Sequence, residues 1–226
     1  MTIPATVTNI SDEVFQYCIN LTNISVMAGN PVYDSVNGVL FGNLQTTLVA
    51  FPAGLGGSYT VPAGVTNIMD YAFSYCNNLT TVTFPASLTS LEFSAFFFDG
   101  ALTAFYFAGN APFTAGFDPF SEVNATVYYL PGTTGWSNFS ANTSLPEVAW
   151  NAQAQTGDGS FGVQNHQFGF NITGTSNLVA VVEACTNLAN SVWSPLQTVT
   201  LTNGTYYFSE PFQPNTLARF YQVAMP

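Results

Sequence analysis

Apolar residues recur at fixed offsets along the first half of the chain. The segment that starts at Ile3 reads IPATVTNISDEVFQYCINLTNIS, and it realigns at Val61 as VPAGVTNIMDYAFSYCNNLTTVT and at Phe84 as FPASLTSLEFSAFFFDGALTAFY. The step from Val61 to Phe84 is 23 residues. A repeat of this length is typical of solenoid proteins, in which equivalent side chains of successive coils stack on one another. The sequence therefore predicts a solenoid with a 23-residue period.

Five apolar columns recur in all three units and predict the core of this solenoid. The columns are Val7, Val65 and Leu88; Ile10, Ile68 and Leu91; Phe15, Phe73 and Phe96; Leu21, Leu79 and Leu102; and Ile24, Val82 and Phe105. Because all five agree, the repeat does not depend on any single motif.

The last part of each unit alternates between apolar and polar residues, which predicts a strand. The three strands are expected over Leu21–Val26, Leu79–Phe84 and Leu102–Phe107. Alternation points one set of side chains into the core and leaves the other set on a solvent-exposed strand face without charges. The candidate binding residues on this strand face are Asn23, Ser25, Thr81, Thr83 and Tyr106.

These units resemble the BspA-type leucine-rich repeat, which reads approximately IPxxVTxIxxxAFxxCxxLTxVT. The resemblance extends over residues 2–136 and includes a longer unit, 27–60, which resembles a recurrent variant of that family. Within this unit Asn37-Gly38 predicts a two-residue hairpin turn. One departure is Asp99, which stands where the family usually has Cys. The resemblance implies that the strand face is the binding surface.

The 23-residue period is absent after residue 148, and short strand-like runs follow. They are expected over Phe168–Thr173, Leu178–Cys185, Leu196–Thr202, Thr205–Ser209 and Arg219–Ala224, with a hairpin turn at Asn203-Gly204. Segments such as SFGVQNHQFGFNITGT and ARFYQV resemble a tail module of large secreted proteins from environmental bacteria. The predicted fold is mainly β: a leucine-rich-repeat solenoid over 1–136, a linker over 137–147 and a small β-sandwich over 148–226.

Charge excludes two classes of partner. The 226 residues include 12 acidic side chains but a single basic one, Arg219, and the formal net charge is −11. Binding of nucleic acids or of anionic membrane surfaces requires several Lys or Arg side chains, so neither is expected. The polar surface is instead rich in neutral groups, with 27 Thr and 21 Asn residues.

Neither a secretion signal nor a membrane span is visible in the sequence. The first 30 residues lack a basic segment followed by an apolar one. No stretch approaches the length of about 18 apolar residues that a membrane-spanning helix needs. Since a single Arg leaves one site for trypsin, we expect an extracellular or cell-surface protein whose signal has been removed or lies in a longer chain.

No group of residues predicts catalysis, a metal site or a cofactor. His166 is the only histidine and has no nucleophile motif beside it. The carboxylates considered for acid–base chemistry or calcium binding are Asp12, Glu13, Asp70, Asp118 and Glu122, and none has the spacing of a known site.

The three cysteines are expected to be core thiols. Cys18 and Cys76 occupy the same repeat offset, but at least one coil separates them, which is too far for a disulfide. Cys185 lies in a predicted strand of the C-terminal part. Zinc binding is not expected from three scattered cysteines and one histidine.

Self-association is the first functional hypothesis. The first coil has no capping segment before it, so its apolar column ends need a cover. The cover is another subunit if the chain is whole, or upstream repeats if the chain is a fragment. A head-to-tail contact does not close on itself and would give a filament or a surface-layer subunit. The residues expected at this end are Ile3, Val7, Ile10, Phe15, Leu21 and Ile24. The protein would then be structural and non-enzymatic.

Adhesion is the second hypothesis. The strand face would bind a polysaccharide or a surface protein. Tyr106, and one of Phe97 and Phe98, are expected outside the core. Exposed aromatic rings on an uncharged surface either stack on sugar rings or pack against another copy of the chain.

Overall fold

The computed structural model describes residues 1–114, 118–212 and 218–226 and divides into two compact units, Met1–Ala149 and Trp150–Pro226. The strands of the first unit are β1 (Thr2–Ile3), β2 (Ser25–Val26), β3 (Tyr33–Val36), β4 (Val39–Gly42), β5 (Thr47–Ala50), β6 (Gly57–Thr60), β7 (Asn67–Ile68), β8 (Leu79–Phe84), β9 (Ser90–Leu91), β10 (Ala104–Phe107), β11 (Thr126–Tyr129) and β12 (Glu147–Ala149). Helix α1 (Trp136–Thr143) precedes β12.

The first unit is the predicted β-solenoid. Its main sheet has the order β12-β11-β10-β8-β6 and is parallel throughout. A second sheet, β3-β4-β5-β7-β9, combines the antiparallel strands of the variant unit with two short parallel ones. Strands β1 and β2 pair with each other in a two-stranded sheet. In-register pairing of successive coils stacks equivalent residues, as the 23-residue period requires.

The variant unit 27–60 contains the predicted hairpin. Strands β3 and β4 are antiparallel, with Val36 opposite Val39, so the turn consists of Asn37 and Gly38. Both turn residues have positive φ, 51° and 84°, as a type I′ turn requires. This prediction is confirmed.

A continuous stack of phenylalanine rings fills the solenoid core. Ring centroids are 5.0 Å apart for Phe51 and Phe73, 4.5 Å for Phe73 and Phe96, and 5.5 Å for Phe96 and Phe120. The repeat pattern predicts Phe15 in this column, but Phe51 of the variant unit stacks on Phe73 instead. Phe15 packs half-buried against a separate small cluster around Ile24 and Leu40, because the inserted hairpin divides the core.

Threonine hydroxyls link successive coils along the surface. Oγ1 of Thr66 donates to the carbonyl of Thr46 at 3.2 Å, and Oγ1 of Thr89 donates to that of Thr66 at 2.9 Å. Thr103 makes the same bond to Thr80 at 3.1 Å. Part of the threonine content therefore serves cohesion between coils.

The predicted linker over 137–147 is wrong. Residues 136–143 form helix α1, which buries Trp136 and Phe139 against Phe107 with ring centroids 5.2 and 5.6 Å away. Residues 147–149 form β12 and extend the main sheet beside β11. Trp136 and Phe139 are three residues apart and so share one helix face, a signal that the many small polar residues around them concealed. This segment covers the last coil.

The second unit consists of two antiparallel sheets. One contains β13 (Gln153–Ala154), β14 (Gly162–Gln164), β15 (Gln167–Thr173) and β18 (Thr205–Pro211); the other contains β16 (Val179–Cys185), β17 (Ser194–Thr200) and β19 (Phe220–Ala224). All five predicted strand regions of this unit are confirmed. The predicted hairpin at Asn203-Gly204 is wrong, since β17 and β18 belong to different sheets and the turn connects them. In the residues that the structure describes, no helix is long and apolar enough to cross a membrane.

Candidate functional site

The main sheet brings Thr81, Thr83 and Tyr106 together on its outer face, as predicted. Register places Thr83 beside Tyr106 and Tyr106 beside Tyr128. Thr81 and Thr83 are half-buried, and Ser58 and Thr60 of the neighbouring strand are exposed. The accessible part of the strand face is therefore a small, uncharged patch of hydroxyl groups.

Tyr106 is not an exposed binding residue, contrary to the prediction. Its side chain is 3% exposed. The side chain lies on the outer face of the sheet, but its ring stacks on Tyr128 of the next coil with centroids 5.1 Å apart. A face of the ring is therefore covered by a neighbouring residue. Burial, with the neighbouring Tyr128, raises the pKa of the Tyr106 phenol to about 12.

Asn23 and Ser25 lie outside the main sheet. They belong to the first coil, where β2 and β1 form a separate two-stranded sheet. The Asn23 side-chain amide donates to Ser25 Oγ at 2.7 Å. Because the variant unit separates the first coil from the others, these residues do not extend the surface of Thr81 and Thr83 by strand pairing.

The predicted exposed end of the first coil is largely covered. Ile3 and Ile24 are 2% and 0% exposed, and Val7, Ile10, Phe15 and Leu21 are half-buried. The cover comes from Leu40 and Val49 of the variant unit, which pack in the same cluster. The apolar side chains that the first coil does expose are different ones, notably Val14 at 55% and Ile19 at 54%.

An aromatic ladder runs along the turn side of the solenoid. Tyr17, Tyr75 and Phe98 lie at the same repeat offset, and the centroid distances are 4.0 Å between Tyr17 and Tyr75 and 5.7 Å between Tyr75 and Phe98. The Tyr75 hydroxyl donates to that of Tyr17 at 2.6 Å. Tyr17 is 66% and Phe98 46% exposed. An exposed aromatic column of this kind is unusual for a surface of a monomeric protein.

The ladder residues share an uncommon backbone conformation. Their φ angles are 60°, 61° and 60°, in the left-handed region that bulky side chains rarely adopt. The same turn therefore recurs in each coil and projects the ring outward. The repeated offset was visible in the sequence, but only φ shows that the column points away from the core.

Three further rings widen the ladder into a surface that we call the aromatic flank. These are Tyr71, Phe93 and Phe97. Tyr71 contacts Phe93 edge-on with centroids 5.5 Å apart, and Phe97 contacts Tyr75 of the ladder edge-on at 5.6 Å. The flank is thus formed by Tyr17, Tyr71, Tyr75, Phe93, Phe97 and Phe98. The prediction that one of Phe97 and Phe98 lies outside the core is confirmed for Phe98, whereas Phe97 is half-buried.

Carboxylates border the aromatic flank. Burial raises the pKa of Asp70, and the negative charges of Asp12 and Glu92 raise it further, whereas the Phe93 N–H, 2.8 Å from Asp70 Oδ1, opposes them. Burial also raises the pKa of the Tyr71 phenol, with contributions from Glu13 and Asp70. The first unit contains no lysine or arginine side chain, because Arg219 of the second unit is the only such residue in the sequence.

The other candidate groups have structural surroundings. Asp118 Oδ1 accepts the N–H of Phe120 at 2.8 Å, and His166 is exposed in a turn. Cys76 and Cys185 are buried, Cys18 is half-buried, and all three are free thiols. Among the described residues no group of three or more His, Cys, Asp or Glu side chains is placed to hold a metal ion.

The second unit has an aromatic cavity of about 450 Å³. Its walls include Phe161, Phe168, Trp193 and Tyr221. Arg219 lies at this cavity and forms an ion pair with Glu210, with Nε 2.8 Å from Oε1. The basic side chain is therefore already neutralised within its own unit.

Comparisons with known proteins agree with the repeat. The family model described as the BspA type leucine rich repeat region matches residues 1–56 and 57–112. No curated protein gives a significant match.

Three solved structures are similar to part of the chain. The pneumococcal vaccine antigen PcpA has 20% identity and a TM-score of 0.44 over 57% of this chain and 38% of its own. A leucine-rich repeat protein from Eubacterium ventriosum has 23% identity and a TM-score of 0.47 over 66% and 48%. A leucine rich cell surface protein from Faecalibacterium prausnitzii has 21% identity and a TM-score of 0.45 over 66% and 47%. The chain spans less than half the length of each of these structures.

Proposed function

We propose that this chain, whose residues 1–112 are BspA-type leucine-rich repeats, is a non-enzymatic adhesion protein of the cell surface or extracellular space. The observation that carries the proposal is the exposed aromatic flank, and we place the binding surface there rather than on the strand face. A surface with one trypsin site and few ion pairs suits an extracellular location. In this proposal the second unit is a small β-sandwich that serves as an accessory module.

Binding is assigned to the flank because it concentrates exposed aromatic area. Tyr17, Phe93 and Phe98 are each at least 40% exposed. Exposed aromatic rings supply large contact areas with little loss of conformational entropy, which makes them frequent anchors at interfaces. The strand face offers only hydroxyl groups beside a buried tyrosine, so it lacks an anchor of this kind.

Beads that carry the chain test this proposal. They are passed over surfaces coated with cellulose, chitin, gelatin or lysozyme, and retention is counted. We expect retention on at least one coating and a loss of about tenfold or more for the variant Tyr17→Asn/Tyr75→Asn/Phe98→Asn, because about 1.4 kcal/mol lost from the interface suffices for this change. Asparagine tolerates the left-handed backbone at these positions, so the variant should fold.

The matched control is Thr81→Ala/Thr83→Ala on the strand face, which should retain the beads like the original chain. If the control loses retention and the aromatic variant keeps it, the strand face is the binding surface. No retention on any of the four coatings counts against adhesion itself.

Head-to-tail self-association is a second candidate function. It is favoured by the first coil, where Val14, Ile19 and Met27 are each more than 50% exposed. We expect the mass measured by light scattering to rise above 24.2 kDa with concentration, to persist in about 1 M salt, and to rise further near pH 4 as the carboxylates lose their repulsion.

The variant Val14→Ser/Ile19→Ser should keep the mass at that of a monomer. Leu44→Ser, a change of the same kind at a side chain that is 83% exposed elsewhere, should leave association unchanged. A constant monomer mass for the unaltered chain, or dissociation by salt, contradicts self-association.

A further inference from the structure

We propose that the aromatic flank binds a basic polypeptide segment of another protein, with arginine side chains stacked on its outer rings and paired with its bordering carboxylates. This inference rests on the proposed adhesion function and names the chemical class of the partner.

The arrangement of the rings leaves aromatic surface at both ends of the ladder. Tyr75 lies between Tyr17 and Phe98, so neighbouring rings occupy its faces. Tyr17 packs against Tyr75 on one side with the two rings tilted, and it is still 66% exposed. Phe98 is 46% exposed. A guanidinium group can stack on such a ring within about 6 Å of its centroid. A planar cation that needs one open face suits the ends of a stack.

The border of the flank supplies matching charge. The pKa of Asp70 is raised by the negative charges of Asp12 and Glu92, which lie nearby. The negative charge of Glu13 raises the pKa of Tyr71 in the same way. A bound cation would relieve this repulsion, whereas a neutral sugar would leave it in place. Anionic polymers would increase it.

These 226 residues offer no free lysine or arginine side chain to the flank. The sequence has no lysine and one arginine, and Arg219 is paired with Glu210 at 2.8 Å in the second unit. A second copy of the chain brings a net charge of −11 and the same lack of cations. Charge complementarity therefore favours a basic partner over self-association at this surface.

Fluorescence anisotropy with the labelled peptide RGRGRGRGR tests the inference with the full chain. Three variants separate the contributions. Tyr17→Asn/Tyr75→Asn/Phe98→Asn removes rings at constant net charge, Asp12→Asn/Glu13→Gln/Glu92→Gln removes flank charge, and Asp34→Asn/Asp118→Asn/Glu183→Gln removes the same charge outside the flank.

We expect the ring variant to weaken binding about fivefold to tenfold, since each exposed cation–π contact contributes about 0.5–1 kcal/mol. The flank-charge variant should weaken it about tenfold, and the charge control by about twofold or less. A lysine version of the peptide should bind more weakly than the arginine version, because a guanidinium stacks on rings better than an ammonium does. Circular dichroism confirms that each variant is folded.

Two results would overturn the inference. Equal weakening by both charge variants, with none from the ring variant, would show general attraction of a polycation to an acidic protein. No peptide binding by the unaltered chain would exclude a basic partner. If the beads described above still lose retention in the ring variant, adhesion stands and only the partner class is wrong.

Discussion

Replacing Asp99 by asparagine is expected to abolish most of the loss of stability that the protein shows as the pH rises from 4 to 8. Asp99 is 0% exposed in the solenoid core. Its Oδ1 accepts the N–H of Cys76 at 2.7 Å, whereas its Oδ2 is buried without a hydrogen-bond partner among the described residues. Burial raises the pKa of this carboxyl from 3.8 to about 8, and the Cys76 N–H opposes the rise only in part.

The direction in which the free energy of unfolding changes with pH follows from the number of protons that the folded and unfolded states hold. Between pH 4 and pH 8 the folded protein holds a proton on Asp99 that the unfolded chain has released, so the free energy of unfolding falls as pH rises. The fall begins near the unfolded pKa and ends above the folded one. The rise of the Asp99 pKa from 3.8 to about 8 corresponds to roughly 5 kcal/mol of stability.

Denaturant unfolding at about pH 4.5, 6 and 8 measures this effect. Asparagine keeps the oxygen that accepts the Cys76 N–H and cannot ionise, so Asp99→Asn should be more stable than the original chain at pH 8 by several kcal/mol. Near pH 4 the two should differ little, because Asp99 is then protonated in the folded state.

Asp118→Asn is the matched control for this experiment. Asp118 Oδ1 also accepts a backbone N–H, from Phe120 at 2.8 Å, but the side chain is only half-buried. The control should retain the pH dependence of the original chain. An unchanged slope in Asp99→Asn would show that Asp99 ionises within the fold and that other carboxylates cause the loss.

Periodicity predicts what repeats, and the architecture of the solenoid followed from it. The 23-residue step fixes which residues stack, so strand β8 (Leu79–Phe84) and the stack of Phe73 on Phe96 could be predicted. Turn residues such as Asn37-Gly38 carry their conformation in their own chemistry. Asp99 could be recognised as a departure from the column of Cys18 and Cys76, although not as a buried carboxyl group with a raised pKa.

The 23-residue period does not show whether a column of residues faces the core or the solvent, nor how the inserted variant unit changes the contacts between coils. Tyr17, Tyr75 and Phe98 form a column in the sequence, but a left-handed residue in each coil decides that the column faces outward. Burial of Tyr106 depends on the ring of Tyr128 in the next coil. These properties arise from contacts between coils, whereas a repeat pattern describes one coil at a time.

Phe96→Ala is expected to destabilise the protein by about 3–5 kcal/mol, the usual range for truncation of a buried phenylalanine. The side chain is 0% exposed and lies within 4.5–5.9 Å, centroid to centroid, of Phe73, Phe84, Phe105 and Phe120. Removing it leaves a cavity in the middle of the ring stack, where the rigid rings of its own coil and of the two adjacent coils cannot all move in to fill it.

Phe15→Ala is the sharpest comparison, because Phe15 has the same repeat offset. It is half-buried in the small cluster of the first coil, so its truncation should cost clearly less than that of Phe96. Urea unfolding of both variants at about pH 5, where Asp99 is protonated, gives the two differences in free energy. Equal losses would mean that the two clusters form one continuous core, whereas a large loss for Phe96 alone places the main stability of the solenoid in the stack from Phe51 to Phe120. The variant hairpin then marks the boundary between a weakly held first coil and a rigid stack.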